Sequence, residues 1–225
     1  MNTIQTCESF SKICHIKSNN YYKQHHDFII GFINNPIIKS NHAYNSDEFN
    51  IIGLYFEFVQ NNHELAIKYY SISIDLGCSH AMFNLGNYYD KILYDDYHGY
   101  IEFHDHNYIK LMIKYYMMAI EMLNSDAMNS LAHYYHEIEN YELCVKYYLM
   151  AIDLGNLNAM NNLAWYYEMI NDHDLTIKYY MMAIDLLDTD AMENLGYYYK
   201  KIGNHELSAK YLLMSMDFNN LNAIE

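Results

Sequence analysis

The sequence predicts an all-α protein, a solenoid of antiparallel helix pairs with about five repeats and an N-terminal helical cap. Three observations carry this. Ala127–Asn158, Ala159–Asp190 and Ala191–Asn222 are consecutive ungapped copies of one 32-residue unit. Each copy holds two apolar stripes at helical spacing. And the 225 residues contain 27 Tyr and 15 Met but a single Pro, so helix breakers are almost absent.

Two further copies precede these three: a degenerate one over 48–80 and a longer one over 81–126, with about 14 extra residues near 93–106. The shared framework reads Ala-Met-x-x-Leu-Gly/Ala-x-Tyr-Tyr, a turn, then Ile-Lys-Tyr-Tyr-x-x-Ala-Ile-Asp-Leu. Lys68, Lys114, Lys146, Lys178 and Lys210 fix its register. In the fourth copy, Ala159, Leu163, Tyr167 and Ile170 form one stripe and Leu175, Tyr179, Ala183 and Leu186 a second. Neither helix buries its stripe alone, so neighbouring copies must supply the missing surface.

Cap signals divide the copies. Asp47, His80, Asp126, Asn158, Asp190 and Asn222 are read as the residues just before each first helix. Asn62, Asn140, Asp172 and Asn204 take the same role for the second helices, each followed by an acid (Glu64, Glu142, Asp174, Glu206) that suits the helix dipole. His63, His173 and His205 recur at one turn position and are read as helix hardware. Gly53, Gly86 and Gly196 share a column with Ala132 and Ala164, a close-packing position. Gly77 and Gly155 end second helices, and Gly203 sits in a turn.

Residues 1–47 do not fit the repeat and carry a net charge of +1, from Lys12, Lys17, Lys23 and Lys39 against Glu8, Asp27 and Asp47. They are expected to form a cap segment, partly irregular, with one helix near 22–34 ended by Asn35-Pro36. At the other end Ala223-Ile224-Glu225 read as the start of a truncated further helix. The face of the fifth repeat with Leu212, Met216 and Phe218 is then a candidate for homo-oligomer formation.

A net charge of −15, with all 13 basic residues Lys, opposes binding to nucleic acid and leaves basic protein surfaces as partners. No signal peptide or membrane span is legible: Phe28–Ile33, an apolar stretch near the start, is far too short. Cys7, Cys14, Cys78 and Cys144 are sparse and irregularly spaced, as reduced thiols of an intracellular, cytoplasmic protein would be.

The Leu-Gly/Ala pair, the Tyr three further on and the Ala of the second helix resemble the tetratricopeptide repeat. The joint Ala151-Ile-Asp-Leu-Gly155-Asn-Leu-Asn-Ala159-Met-Asn-Asn-Leu163-Ala more closely resembles that of the Sel-one-like repeat, its sister family. The match runs from Glu48 to Asn222. The glycine-rich loop usual inside such repeats is replaced by short turns such as Glu139-Asn140, and the tetratricopeptide Pro is missing.

The resemblance implies a right-handed α-α superhelix whose first helices line a concave groove. The inward positions then lie two before, two after and five after the repeat Leu or Ile. They are Asn50, Leu54, Glu57; Phe83, Asn87, Asp90; Asn129, His133, His136; Asn161, Trp165, Glu168; and Glu193, Tyr197, Lys200. They vary between copies while the framework does not, which suits a binding surface for an extended or helical peptide, with the aromatics as anchors.

The resulting expectation is a non-catalytic interaction scaffold or adaptor for a protein or peptide partner, with no cofactor and no metal. The alternatives are a metal-binding protein or enzyme using the insertion (His98, His104, Asp105, His106) or a self-assembling structural protein. His133 with His136, and Cys7 and Cys14 with His15, His25 and His26, also carry metal-ligand types, but their spacing matches no short paired motif. The disulfide-rich, beta-lactam-hydrolysing branch of the resembling family carries a Cys pair per repeat, which Cys78 and Cys144 do not form.

Overall fold

The computed structural model describes residues 44–58, 60–98 and 106–222, with side chains described for these except 94–98 and 219–222. The expected helix near 22–34, the cysteines and histidines before it, the core of the insertion at 99–105 and the segment 223–225 lie outside this range.

Ten helices and no strand occur among the described residues: α1 Ser46–Phe58, α2 His63–Asp75, α3 Ser79–His98, α4 His106–Glu121, α5 Ser125–Glu137, α6 Tyr141–Asp153, α7 Leu157–Met169, α8 His173–Asp185, α9 Thr189–Lys201 and α10 His205–Asn222. Consecutive helices pair as α1/α2, α3/α4, α5/α6, α7/α8 and α9/α10. The chain divides into two compact units, Met1–Asn124 and Ser125–Glu225.

Each pair is held by the columns of the repeat. In unit 2, Ala127, Ala159 and Ala191 with Leu131, Leu163 and Leu195 are fully buried, as are Ala151 and Ala183 on the second helices. A small residue facing a small residue lets two helix backbones approach, and the Leu fills the space beside them. Unit 1 repeats this with Ala81, Leu85 and Ile52 against Ala119 and Ser73.

An aromatic pair closes every repeat. Phe56 stacks on Tyr69, Tyr89 on Tyr115, Tyr135 on Tyr147, Tyr167 on Tyr179 and Tyr199 on Tyr211, with ring centroids 5.4–5.9 Å apart and planes within 10° of parallel. The repeat Lys lies over the second ring of each stack, its Nζ 5.0–5.9 Å from the centroid. The invariant Lys therefore folds onto its own Tyr neighbour, a cation–π contact that explains why the Lys-Tyr pair is copied whole.

The joints between helices share one device. At the end of α6, the Gly155 N–H bonds to the Ile152 carbonyl and the Asn156 N–H to the Ala151 carbonyl, with Gly155 at φ +78°. This satisfies the last carbonyls of the helix. The Asn156 side chain at once accepts from the Ala159 N–H at 2.9 Å and caps α7. Asp188 does the same for α9 through Ala191 N. The residue that ends one helix is thus the N-cap of the next.

The first-helix caps consequently sit two residues earlier than the sequence suggested: Asn156 and Asp188 cap, while Asn158 and Asp190 lie inside the first turn. The periodic Ala is the third helical residue, since the cap must reach its N–H from three positions back. Asn45 plays this part for α1, accepting from Glu48 N while the Glu48 carboxylate accepts from Asn45 N. For the second helices the expected caps Asn62, Asn140, Asp172 and Asn204 each accept from the N–H three residues on.

The described residues of the insertion, 93–98 and 106, are helical. α3 continues to His98, seven residues beyond the position where α5 ends, and α4 starts at His106, three residues early. No helix among the described residues is long and apolar enough to cross a membrane.

Candidate functional site

The sequence-derived inward positions differ between the two units in how far they are already engaged. In unit 1 the polar ones are tied to the framework. Asn50 is 8% exposed and accepts from Asn84 Nδ2 at 2.8 Å. Glu57, 6% exposed, accepts from the Tyr70 hydroxyl at 2.7 Å. Tyr116 donates towards Asn87 at 2.7 Å, with Asp90 at 3.3 Å. Leu54 and Phe83 are half-buried, and the Phe83 ring packs 6.2 Å from Tyr116. Burial raises the Glu57 carboxyl above the usual carboxylate range, against the opposing Tyr70 bond and Lys91 charge.

Glycine makes these bonds possible. A Cβ at Gly53 would lie 2.6 Å from the Tyr70 ring, and one at Gly86 2.5 Å from the Tyr116 ring. With no Cβ, the rings lie flat on the first helix and their hydroxyls reach its inward positions. In unit 2 the same column holds Ala132 and Ala164, with Tyr148 and Tyr180 at the repeat positions of Tyr70 and Tyr116, and then Gly196 facing Leu212.

In unit 2 the inward face is more open. Trp165 is 49% exposed and Tyr197 57% exposed, and His133 and Lys200 are also exposed. His136 lies among rings, with Trp165, Tyr141 and Tyr166 at 5.3, 5.8 and 6.1 Å between centroids. Asn129 accepts from Asn162 Nδ2 at 3.0 Å, Glu193 from Ser215 Oγ at 3.0 Å, and Lys201 Nζ reaches Glu168 at 2.8 Å. His133 approaches Glu137 at 3.7 Å along α5.

Two atoms on this face are buried without a hydrogen-bond partner among the described residues, His136 Nε2 and Asn161 Oδ1. The amide of Asn161 donates to Asp188 at 3.3 Å, so its orientation is fixed and its oxygen is left over. Burial and the neighbouring His133 hold the His136 imidazole below its usual pKa, hence neutral at pH 7. Native proteins leave few such groups unpaired, because each costs about 1–3 kcal/mol.

The copied histidines behave as framework. His63 packs on Tyr88 of the next repeat at 5.6 Å, and His173 Nδ1 hydrogen-bonds the Tyr198 hydroxyl. Of the insertion histidines, His98 ends α3 and His106 opens α4, while His104 and Asp105 lie outside the described residues. On α10, Met216 is 59% exposed, but Leu212 and Phe218, expected on the same open face, are half-buried.

One constellation was not anticipated from the sequence. Asp47, Cys78 and His80 bring a carboxylate oxygen, a thiol and an imidazole nitrogen within 4.8 Å of one another. The sequence reads Asp47 and His80 as helix caps and Cys78 as a reduced thiol. The available signal was that Cys-x-His at 78–80 replaces the Asn-x-Asn and Asp-x-Asp of later joints. Burial pushes the Cys78 thiol up, but bonds from His80, Ser73 and the Ala81 N–H outweigh it and leave the thiol below its ordinary range. Cys144, by contrast, is fully buried and raised to about 12 by burial.

No protein-family model matches the sequence, and a comparison with curated proteins finds no match. Solved structures do match. The Sel1 repeat protein from Oxalobacter formigenes superposes with a TM-score of 0.61 at 19% identity, over 99% of this chain and 86% of that one. The protective antigen c5321 of uropathogenic Escherichia coli, with an SLR fold, gives 0.55 at 22% identity over 76% of this chain and 36% of its own. MamA gives 0.54 at 18% identity, over 77% of this chain and 98% of that one. The chain has the helical-repeat fold of the Sel1-like and tetratricopeptide-like solenoids.

Proposed function

We propose that the protein is a non-catalytic scaffold that holds a partner protein or peptide on the inward face of its first helices. The part most ready to do so is in unit 2, around Trp165, Tyr197, His136 and Asn161. The observation that carries this reading is the pairing of unsatisfied atoms with exposed rings: His136 Nε2 and Asn161 Oδ1 lack partners, the His136 ring packs 5.3 Å from Trp165, and Trp165 and Tyr197 are 49% and 57% exposed. Exposed Trp and Tyr next to buried polar atoms is the composition of an interface hot spot. Both atoms are inaccessible in the free chain, so a partner's polar groups remove these penalties as the exposed rings rotate to admit them.

The net charge of −15 favours a partner with a basic surface, and the free thiols of Cys78 and Cys144 fit a reducing, intracellular compartment.

A random peptide library displayed on phage and selected against the full chain tests this, with isothermal titration calorimetry to measure affinity. Selected peptides are expected to lose about 2 kcal/mol or more of binding with Trp165→Ala, and to weaken with Tyr197→Ala and Asn161→Ala. Peptides that bind all three variants as tightly as the parent chain place the interface elsewhere.

A further inference from the structure

We infer that Asp47, Cys78 and His80 form a divalent transition-metal site, best suited to Zn²⁺. Cys78 ends the α2–α3 joint, His80 lies in the first turn of α3, and Asp47 in the first turn of α1. Their ligating atoms lie within 4.8 Å of each other, and the Cys78 thiol meets Asp47 Oδ1 at 3.5 Å. A zinc ion bound at about 2.3 Å to sulfur and about 2.0 Å to oxygen, at a tetrahedral angle, sets those two ligands about 3.5 Å apart. The sulfur and the carboxylate are therefore already at coordination spacing. Asp47 and His80 are exposed, so side-chain rotation can close the remaining gap.

Three further features support the assignment. The ligand set of one thiolate, one imidazole and one carboxylate is of borderline softness, which selects zinc over calcium or magnesium. Cys78 is fixed in place: its N–H bonds to the Ser73 carbonyl at 3.1 Å, its carbonyl accepts from Met82 N at 3.3 Å, and Gly77 turns the chain at φ +85°. The site is also uncopied. The equivalent joint in unit 2 carries Asp126, Asn156 and Asn158, in which the Asn156 amide donates to Asp126 at 2.9 Å. There the joint is closed by an amide, whereas in unit 1 the same three positions carry metal-ligating groups.

The thiolate and carboxylate together balance the charge of the ion and offset its repulsion by the positive ends of two helices. Three protein ligands leave a fourth position open to water, the arrangement of an accessible rather than a sealed zinc site.

The repeat itself supplies variants that keep the fold. Cys78→Asn installs the cap residue of Asn156, and His80→Asn and Asp47→Asn install the residue of Asn158. The test is a titration with Co²⁺ of the full chain carrying Cys7→Ser and Cys14→Ser, which leaves buried Cys144 as the other thiol. One equivalent of Co²⁺ is expected to bind with a thiolate-to-cobalt charge-transfer band and to be displaced by Zn²⁺. Cys78→Asn should abolish the band, while His80→Asn and Asp47→Asn should each weaken binding by about ten-fold or more. The inference is overturned if the parent shows no such band or Cys78→Asn retains it. It is equally overturned if His80→Asn and Asp47→Asn leave the affinity unchanged, since a lone thiol then accounts for the binding. Helicity by circular dichroism confirms that each variant is folded.

Discussion

Gly86→Ala offers a sharp test of how unit 1 is built. The new Cβ would sit 2.5 Å from Cδ1 and 2.6 Å from Cε1 of Tyr116, a ring that is fully buried. Carbon atoms rest about 3.5–4.0 Å apart, so the ring must withdraw by about 1 Å. Forcing such a shift in a close-packed interior costs about 1–3 kcal/mol. The move also pulls the Tyr116 hydroxyl from Asn87, a bond of 2.7 Å whose loss costs about 0.5–1.5 kcal/mol. Against this, Ala is better than Gly inside a helix by about 1 kcal/mol. The balance is a loss of about 0.5–3.5 kcal/mol. Gly196→Ala is the comparison: there the Cβ meets Leu212, with Cγ at 2.8 Å and the backbone N at 3.3 Å, and no buried ring or hydroxyl is displaced. It should cost less than Gly86→Ala, since the helix-propensity gain of about 1 kcal/mol opposes the shift of Leu212 alone. Urea unfolding followed by far-UV circular dichroism measures both. A Gly86→Ala protein as stable as its parent would refute the idea that glycine is there to seat the tyrosine.

Three other outcomes follow from the same geometry. Gly155→Ala should lose about 1–2 kcal/mol of unit 2 stability by thermal unfolding, because its φ of +78° is left-handed while nothing lies within 4 Å of the added Cβ, so no packing change confuses the result. The buried carboxyl of Glu57 has a folded-state pKa raised above 4.5, so its protonated form favours folding, and the benefit is lost as pH rises through that raised value. Glu57→Gln should therefore gain on the parent as pH goes from mildly acid to neutral, in denaturation curves taken at each pH; a constant difference would contradict it. In metal-free protein with Cys7→Ser and Cys14→Ser, Cys78 should be alkylated well before Cys144, whose thiol is fully buried and raised to about 12; mass spectrometry of the modified peptides decides.

The fold was legible because a repeat multiplies its own signal: the columns of Ala, Leu, Gly/Ala and Tyr recur at fixed spacing, and five copies show what one cannot. The caps of the second helices were readable for the same reason, while those of the first helices were placed two residues late. The joint packs a helix end and a helix start into three residues, and Asn158 and Asp190 are as good cap types as Asn156 and Asp188. Sequence pattern cannot choose between them. Which hydrogen bond forms does, as with Asn156 Oδ1 on Ala159 N.

The residues read from the sequence as inward do not share one state. Glu57 and Trp165 carry the same logic of variable residues on a copied frame, yet one is bonded to Tyr70 and the other is half in solvent. The difference is set one column away, by whether glycine admits the tyrosine ring of the second helix. In unit 1, Gly53 and Gly86 let Tyr70 and Tyr116 reach the inward polar groups, so those groups stabilise the unit itself. In unit 2, Ala132 and Ala164 stand in the glycine column, and beside them His136 Nε2 and Asn161 Oδ1 remain unpaired. Across the first four repeats a methyl in this column goes with a more open face and its absence with hydroxyl bonds from the second helix, while the fifth has Gly196 against Leu212 and no tyrosine to place there. Swapping the column, with Ala132→Gly and Ala164→Gly in unit 2, should draw Tyr148 and Tyr180 inward and weaken peptide binding without touching a contact residue.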